Sequence, residues 1–501
     1  MNRLFARLGV HRREHVSVAR DFSFSGLNSV SLVLLIGTGL LLRRYIGPYY
    51  AGIWVGLEML PTYVGTYGHF GTLTAAEREL PYLIGAKREA EFERVKNTLF
   101  WFTHGVGIVL ALGMVAAAFI QRSRVNAQTF AGLLIYAPIV WAQLAATYYV
   151  VLYRARKRFG ALSLRQGPLN IAKALLLVGG AYMFGLMGVL VVELAAAVLL
   201  AIVLHTGVRE PFSRVFDASL LPKLVTDGVP MVAGAFAFET LRGADQFMVL
   251  FTMGTTMLGT YSLAWPIFSG LFYIPNVLSM VMYPRFQERY GATSDVQSLR
   301  RFVELPLHVL AETLLAAIAV LLIALPAAFT VWFPNYVEGI PSWRVMLVGT
   351  YFLCLTPPAG QLLLTLNKQV RALYIGIPAT AMAFGAAYVG SRYGLIGVAT
   401  GVSLAFFAEF VAVNAYAFSH FCGARDIIAL IARLTATAAA VVLVALAVEH
   451  VVPAGPPVVA WFGGWRLLAI GVIVTPLLAR AARRIWALQA ADLVDNVTSG
   501  H

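Results

Sequence analysis

The stretch Phe184-Gly-Leu-Met-Gly-Val189 recurs as Tyr393-Gly-Leu-Ile-Gly-Val398, 209 positions later. Each copy is a glycine-marked turn between two long apolar runs. Two further pairs keep nearly the same offset. Gly47-x4-Gly52-x-Trp54 is followed 207 positions on by Gly254-x4-Gly259-x-Tyr261, and Pro81-Tyr-Leu is followed 203 positions on by Pro284-Arg-Phe. Glycine-rich turns are common, but three matches in one order at one spacing argue for an internal duplication.

Working outward from these turns, the sequence divides into fourteen apolar segments. The first seven are Phe24–Leu42, Tyr49–Leu73, Asn97–Ile120, Gln128–Tyr153, Leu164–Met183, Met187–Thr206 and Val229–Thr252. The next seven are Leu258–Tyr283, Leu305–Trp332, Trp343–Leu366, Ala372–Gly390, Leu395–His420, Ile427–Val448 and Trp461–Ala479. A helix needs about 20 apolar residues to cross a bilayer, so fourteen use roughly 280. The composition agrees: 59% of the 501 residues are hydrophobic and 12% are charged. A soluble domain carries about twice that share of charge, so a soluble enzyme, a disordered chain and a secreted disulfide scaffold are excluded. The runs are long and do not alternate, which selects helices over barrel strands. Cys354 and Cys422 stand far apart without a pairing or metal motif.

The expected architecture is an all-α integral membrane protein of about fourteen transmembrane helices. Residues 1–20 form an N-terminal tail, 21–228 and 229–425 two six-helix lobes, 426–480 two additional helices and 481–501 a C-terminal tail. Six is even, so both repeats enter the membrane in the same direction and are related by an axis along its normal. This is a transporter plan, with the substrate site between the halves.

The net charge of +14 is explained by loop position. With the N-terminus inside, 28 of the 38 Lys and Arg fall in cytoplasmic segments and 7 on the opposite side, while Lys173, Arg242 and Arg433 lie within segments. That asymmetry predicts both termini inside. The first 20 residues are basic but lack an apolar core and a small-residue cleavage site, so no cleaved signal peptide is expected. The mixed-charge loop Glu77–Lys96 reads as a short surface helix.

No Walker A pattern and no His or Cys cluster of metal spacing is present, so no cofactor, metal or catalytic residue is expected. Charged residues inside the apolar segments are more informative, because burial there is costly. Glu239, Arg242 and Asp245 are spaced i, i+3, i+6, which reads as a polar stripe lining a cavity, or as a self-neutralising set fixing its helix. Lys173 lies about nine residues into the fifth segment, with Arg165 at its mouth. Lys173, Arg165 and Arg242 read as a cationic track for phosphate. The alternative pairs Lys173 with an acid such as Glu193 or Glu58. Glu58, Glu193, Glu312 and Glu409 are candidates for coupling or gating. His69, His104, His205 and His308 at helix ends are either proton-handling or simply packed.

A resemblance rests on several of these motifs together: Leu41-Leu-Arg-Arg44 followed by Gly47-x4-Gly52; Ala76-Glu-Arg-Glu-Leu-Pro81 followed by Gly85-Ala-Lys87; Asp227-Gly-Val-Pro230 with Asp245 and Leu258-Gly-Thr-Tyr261; and Tyr283-Pro-Arg-Phe286. Over about residues 18–425 the chain resembles the bacterial polysaccharide and oligosaccharide flippases of the multidrug/oligosaccharidyl-lipid/polysaccharide exporter superfamily. The resemblance implies a V-shaped, MATE-like pair of lobes in the inner membrane that moves a polyprenyl-diphosphate-linked glycan between leaflets by alternating access. It implies the diphosphate at Lys173 and Arg242, and sugars at Tyr63, Tyr67, Gln143 and Tyr148. Energy comes from an ion gradient or the membrane potential. The implied partners are the lipid-linked glycan, membrane lipids, and polysaccharide polymerase and export machinery, with no nucleic acid. A cation-coupled multidrug or lipid exporter of the same superfamily is the nearest alternative. A membrane glycan polymerase or ligase is the alternative of another class, and the short, proline-rich connection Glu449–Ala460 speaks against it.

Overall fold

The computed structural model describes residues 12–65, 67–208, 210–451 and 470–484. Residues 1–11 of the expected N-terminal tail, 485–501 of the C-terminal tail, and 452–469, which hold most of the proline-rich connection and the start of Trp461–Ala479, lie outside these residues. Among the described residues the secondary structure is helical, without strands. Eight helical runs there are long and apolar enough to cross a membrane. Two of them, Phe159–Val208 and Val370–Phe418, each contain a chain reversal. The protein is a multi-pass membrane protein.

The reversals sit on the duplicated motif. Gly185 adopts φ 58, ψ −138 inside α5 (Phe159–Val208), and Gly394 adopts φ 75 between α12 (Gln369–Gly390) and α13 (Gly394–Phe418). The flanking glycines let the two arms touch: a Cβ on Gly188 would stand 2.1 Å from the Gly180 carbonyl oxygen, and one on Gly397 2.0 Å from that of Gly390. A side chain at either place collides with backbone, so the tight hairpin demands glycine.

Left-handed residues recur through the chain at matched spacing. Gly47 pairs with Gly254 (φ 76 and 88), Lys87 with Ser294 (57 and 50), Lys157 with Asn367 (54 and 55), and Gly185 with Gly394. Their offsets are 207, 207, 210 and 209 positions. Three of these ends close in one way, with the amides of Arg88, Arg158 and Lys368 bonding the carbonyls of Leu83, Tyr153 and Leu363 five residues back. This is the helix-terminating motif that satisfies orphan carbonyls.

The chain packs as two compact units, 1–236 and 237–501, with the boundary inside α6 (Leu221–Met253). In the first unit, α1 (Arg12–Leu60) packs against α5, and α3 (Glu89–Ile120), α4 (Ala127–Ala155) and α5 pack around a core that includes Phe92, Leu99, Tyr148, Leu152 and Leu204. Its outer apolar surface is inverted relative to a soluble protein: Val109 is 68% exposed and Leu175 71%. In the second unit, α9 (Arg300–Trp332), α10 (Ile340–Cys354) and α13 enclose Leu314, Phe329, Trp343 and Phe406, and the Trp343 indole donates to the Tyr261 carbonyl at 3.0 Å.

The structure corrects three expectations. Tyr49–Leu73 is not one span: the helix ends at Leu60, Pro61–Gly65 makes a wide π turn, and Phe70 and Gly71 turn left-handed before α2 (Thr72–Gly85). Pro61 lacks the amide a continuing α-helix needs. Glu77–Lys96 is not a separate surface helix, because α2 ends and α3 begins within it, about the left-handed Lys87. Arg43 is not a loop residue: it lies inside α1, 3% exposed, with its guanidinium 5.1 Å from the Trp54 ring.

Candidate functional site

In the first unit, α1 and α5 bring four charged side chains into one region of the spanning segments. Lys173 Nζ lies 2.5 Å from a Glu193 carboxylate oxygen, on the opposite arm of the α5 hairpin. Glu193 is 9% exposed at its side chain and Lys173 27%. Glu58 lies within electrostatic reach of Glu193, Lys173 and Arg43. Two cations and two anions therefore offset one another. An unpaired charge in hydrocarbon is strongly disfavoured, and the hairpin gives Lys173 and Glu193 each other as counter-charge. The alternative reading of Lys173, a pair with an acid, is the geometry found.

Arg165 stands apart from this group. It is eight residues, or roughly 12 Å of helix, before Lys173. Its guanidinium lies over the Tyr153 ring at 5.9 Å and bonds the Ala161 carbonyl. It also passes closely over Gly207, where a Cβ would meet Arg165 Nε at 2.0 Å. Arg165 is thus a packed residue and does not continue a track from Lys173.

The break after Leu60 gathers aromatic and amide groups. Phe236 meets Tyr63 and Tyr67 edge to face, with centroids at 5.9 and 5.1 Å. The Tyr67 hydroxyl donates to the Ala235 carbonyl at 3.4 Å. Gln143 lies against Gly65, where a Cβ would stand 2.7 Å from Gln143 Oε1. Tyr148 is elsewhere: it is fully buried, and its hydroxyl donates to the Lys96 carbonyl at 2.9 Å. It holds α3 to α4 and offers nothing to a sugar.

In the second unit, the expected stripe on α6 divides. Arg242 Nη1 bonds both Glu239 carboxylate oxygens at 3.1 and 3.2 Å, and its guanidinium lies 5.2 Å from Trp265 and 4.8 Å from Phe272. Asp245 is fully buried and accepts the Tyr261 hydroxyl at 2.9 Å and the Gln246 amide at 2.8 Å. The helical repeat explains the split: at about 100° per residue, Asp245 lies roughly 120° around the helix from Glu239. The acids also differ. Glu312, buried on α9, is bound by Arg484 at 3.2 Å, which ties the helix over 470–484 to α9. Glu409 is 7% exposed on α13, and its Oε2 has no hydrogen-bond partner among the described residues.

The strap before α6 is held to the foot of α3 within the first unit. The Ser213 amide bonds the Asn97 side chain, the Asp217 amide bonds Thr98, Lys96 Nζ bonds the Pro211 carbonyl, and Arg94 pairs with Asp217. Sequence reasoning missed this strap and the burial of Arg43. Asn97 and Thr98 at the foot of an apolar segment were the available signal for the first.

A family described as "Polysaccharide biosynthesis protein" matches residues 82–332, half of the chain. The chain belongs to this family. No curated protein matches its sequence. Its fold is that of the exporter superfamily named above, also called MOP. It is similar to the lipid II flippase MurJ in an inward closed conformation, at 12% identity over 93% of this chain and 99% of that one, with a TM-score of 0.73. It is also similar to an inward-facing multidrug resistance MATE transporter of the MOP superfamily, at 15% identity over 80% and 95%, TM-score 0.65. A MOP superfamily transporter from Pyrococcus furiosus, described by the reverse polarity of its binding pocket, matches at 15% identity over 80% and 96%, TM-score 0.52.

Proposed function

We propose that this family member moves a polyprenyl-diphosphate-linked oligosaccharide, or a related polysaccharide precursor, across the bacterial inner membrane by alternating access. In this reading both termini are cytoplasmic. About fourteen helices cross the bilayer as two parallel six-helix repeats with two added helices. An ion gradient or the membrane potential drives the cycle, and polymerase and export machinery take the product.

The observation that carries the proposal is the paired but partly accessible Lys173 beside Glu193, Glu58 and Arg43 in a chain of this family. A diphosphate offers Lys173 a stronger partner than one carboxylate and displaces Glu193 when it binds. Arg242, already held by Glu239, is a second candidate for a phosphate. Tyr63, Tyr67 and Gln143, gathered at the helix break, suit a sugar better than a tail. Glu58 and the unpartnered Glu409 are the coupling acids of this reading, whereas Glu193 and Glu312 serve as counter-charges. The flippase reading of the similar lipid II structure points the same way.

The test is leaflet translocation in proteoliposomes with a fluorescent polyprenyl-diphosphate oligosaccharide. Wild type is compared with Lys173→Ala and Arg242→Ala. Translocation by wild type, lost in either folded variant, supports the reading. Translocation unaffected by both removes the anion site. None by wild type, across several lipid-linked glycans and with an imposed ion gradient, overturns the function.

A further inference from the structure

A cavity of about 270 Å³ lies between α3, α4 and α5 of the first unit, apart from the charged group described above. Phe100, Trp141 and Tyr149 supply aromatic walls, and Ala145 and Ala201 leave the space between them. No Lys, Arg, Asp or Glu lines it. Its polar groups are the Trp141 indole N–H, a buried donor without a partner among the described residues, and His104, Tyr149 and His205, which form one chain. His104 Nδ1 lies 3.0 Å from the Phe100 carbonyl, Tyr149 oxygen 3.5 Å from His104 Nε2, and His205 Nδ1 2.9 Å from Tyr149 oxygen.

With neutral imidazoles, one arrangement of protons makes all three bonds. A carbonyl accepts only, so His104 Nδ1–H donates to Phe100. That leaves His104 Nε2 as an acceptor, and the Tyr149 hydroxyl donates to it. The Tyr149 oxygen then receives His205 Nδ1–H. The chain therefore ends on His205 Nε2 as an acceptor, and among the described residues nothing donates to it. His205 and Ile202 beside it are exposed.

The route in follows from what surrounds this end. Phe212 of the strap stacks on Phe100 at 4.6 Å and on His205 at 5.4 Å, closing the cavity toward the loop end of the unit. The helices that wall the cavity carry exposed large apolar residues, including Trp101 and Ile108 on α3 and Leu199 and Ile202 on α5. His205 and Tyr149 lie three and six residues from the ends of α5 and α4, or roughly 5 and 9 Å. A surface of that kind belongs against acyl chains, so the occupant arrives from within the bilayer.

We propose that this cavity binds a membrane-dissolved lipid alcohol, with its hydrocarbon chain against Phe100, Trp141 and Tyr149 and its hydroxyl donating to His205 Nε2. An uncharged lining disfavours a phosphate or carboxylate headgroup, since a charge buried without a partner is costly. A hydroxyl answers both the free acceptor of His205 and the free donor of Trp141, whereas an ether or ester answers only the donor. Diacylglycerol and polyprenol both present this chemistry. The site does not depend on the flippase reading.

The experiment is photolabelling of the full chain in nanodiscs with chain-diazirine forms of diacylglycerol and of polyprenol. Each is run beside its methyl ether and its phosphate, and adducts are mapped by mass spectrometry. The proposal expects adducts around residues 198–212 from at least one alcohol, roughly three- to tenfold above its ether, which is the range one net hydrogen bond provides. Which alcohol labels more identifies the source. Ala201→Trp fills the cavity and abolishes these adducts. His205→Phe keeps the ring against Phe212 and removes the acceptor, so alcohol and ether label equally. Equal labelling by alcohol, ether and phosphate in wild type, alcohol selectivity kept in His205→Phe, or no adduct there at all overturns the proposal. If Ala201→Trp does not fold, the His205→Phe comparison decides alone.

Discussion

Removing Lys173 separates a structural role from a transport role, because the two respond differently to a second substitution. Lys173→Ala leaves Glu193, 9% exposed at its side chain, beside Glu58 without its lysine. Breaking a buried pair from one side costs about 3–5 kcal/mol. Lys173 is 27% exposed, so the lower end, about 3 kcal/mol, is expected. At roughly 2–4 °C per kcal/mol for a unit of this size, that lowers the melting temperature in detergent by about 6–12 °C. The double variant Lys173→Met with Glu193→Leu removes both charges and keeps apolar volume, and a pair replaced whole is often neutral. It should melt within about 2 °C of wild type and still fail in the proteoliposome assay, since the lysine that grips the diphosphate is gone. A double variant as unstable as the single one would refute the pairing energetics. A stable double variant that translocates at the wild-type rate would refute the anion site.

Arg242 makes its contacts with a planar group between Trp265 and Phe272, so Arg242→Lys should lose most of the translocation that Arg242→Ala loses; substantial rescue by lysine would show that charge alone suffices. Gly71 combines φ 77 with a backbone contact, its Cβ meeting the Gly228 carbonyl carbon at 2.4 Å. Gly71→Ala should therefore destabilise by at least about 2 kcal/mol, measured by thermal unfolding, while Gly85→Ala, which meets nothing, should not. Arg484→Ala leaves Glu312 buried without its cation, and accelerated proteolytic release of the last helix would report it. Asp217, outside the spans, is held below the usual carboxylate value first by the Ser219 hydroxyl and then by Arg94. A lowered carboxylate value stabilises above the unfolded value and is lost as pH falls through the folded one. Protease cleavage of the strap should thus rise only below about pH 4, and Asp217→Asn should flatten that response.

Much of the fold was legible because its signals are local. Length and apolarity of a run specify a spanning helix, and a glycine between two runs specifies a reversal, as at Gly185. The break after Leu60 was less legible. Pro61 announces it, yet membrane helices also tolerate proline, and what ends the helix is the geometry of Phe70 and Gly71 against Gly228. The site was legible as a list of costly residues and not as a set of contacts. The sequence offers Lys173 either Glu193 or Glu58 as an acid partner, and the α5 hairpin, by folding its two arms together, brings Glu193 to it. Tyr261 was not named for Asp245, because that contact depends on how the chain turns at Gly254. Arg43 and Arg44 are adjacent in sequence, and only the helix phase makes one buried and the other exposed.

The left-handed positions bear on how the two halves relate. Four pairs recur at offsets between 207 and 210, and two of them, Lys87 with Ser294 and Lys157 with Asn367, share no residue identity. A left-handed non-glycine residue carries a steric cost, so its recurrence at one spacing reflects helices of equal length ending at equal places. That supports duplication more strongly than the short sequence matches that first suggested it. Phe70 and Gly71 have no such partner, for the corresponding stretch of the second half runs unbroken through α8 (Trp265–Thr293). The halves therefore differ where the first breaks its second helix and gathers Tyr63, Tyr67 and Gln143. The break is one place in the described chain where the halves differ in backbone and not in side chains alone.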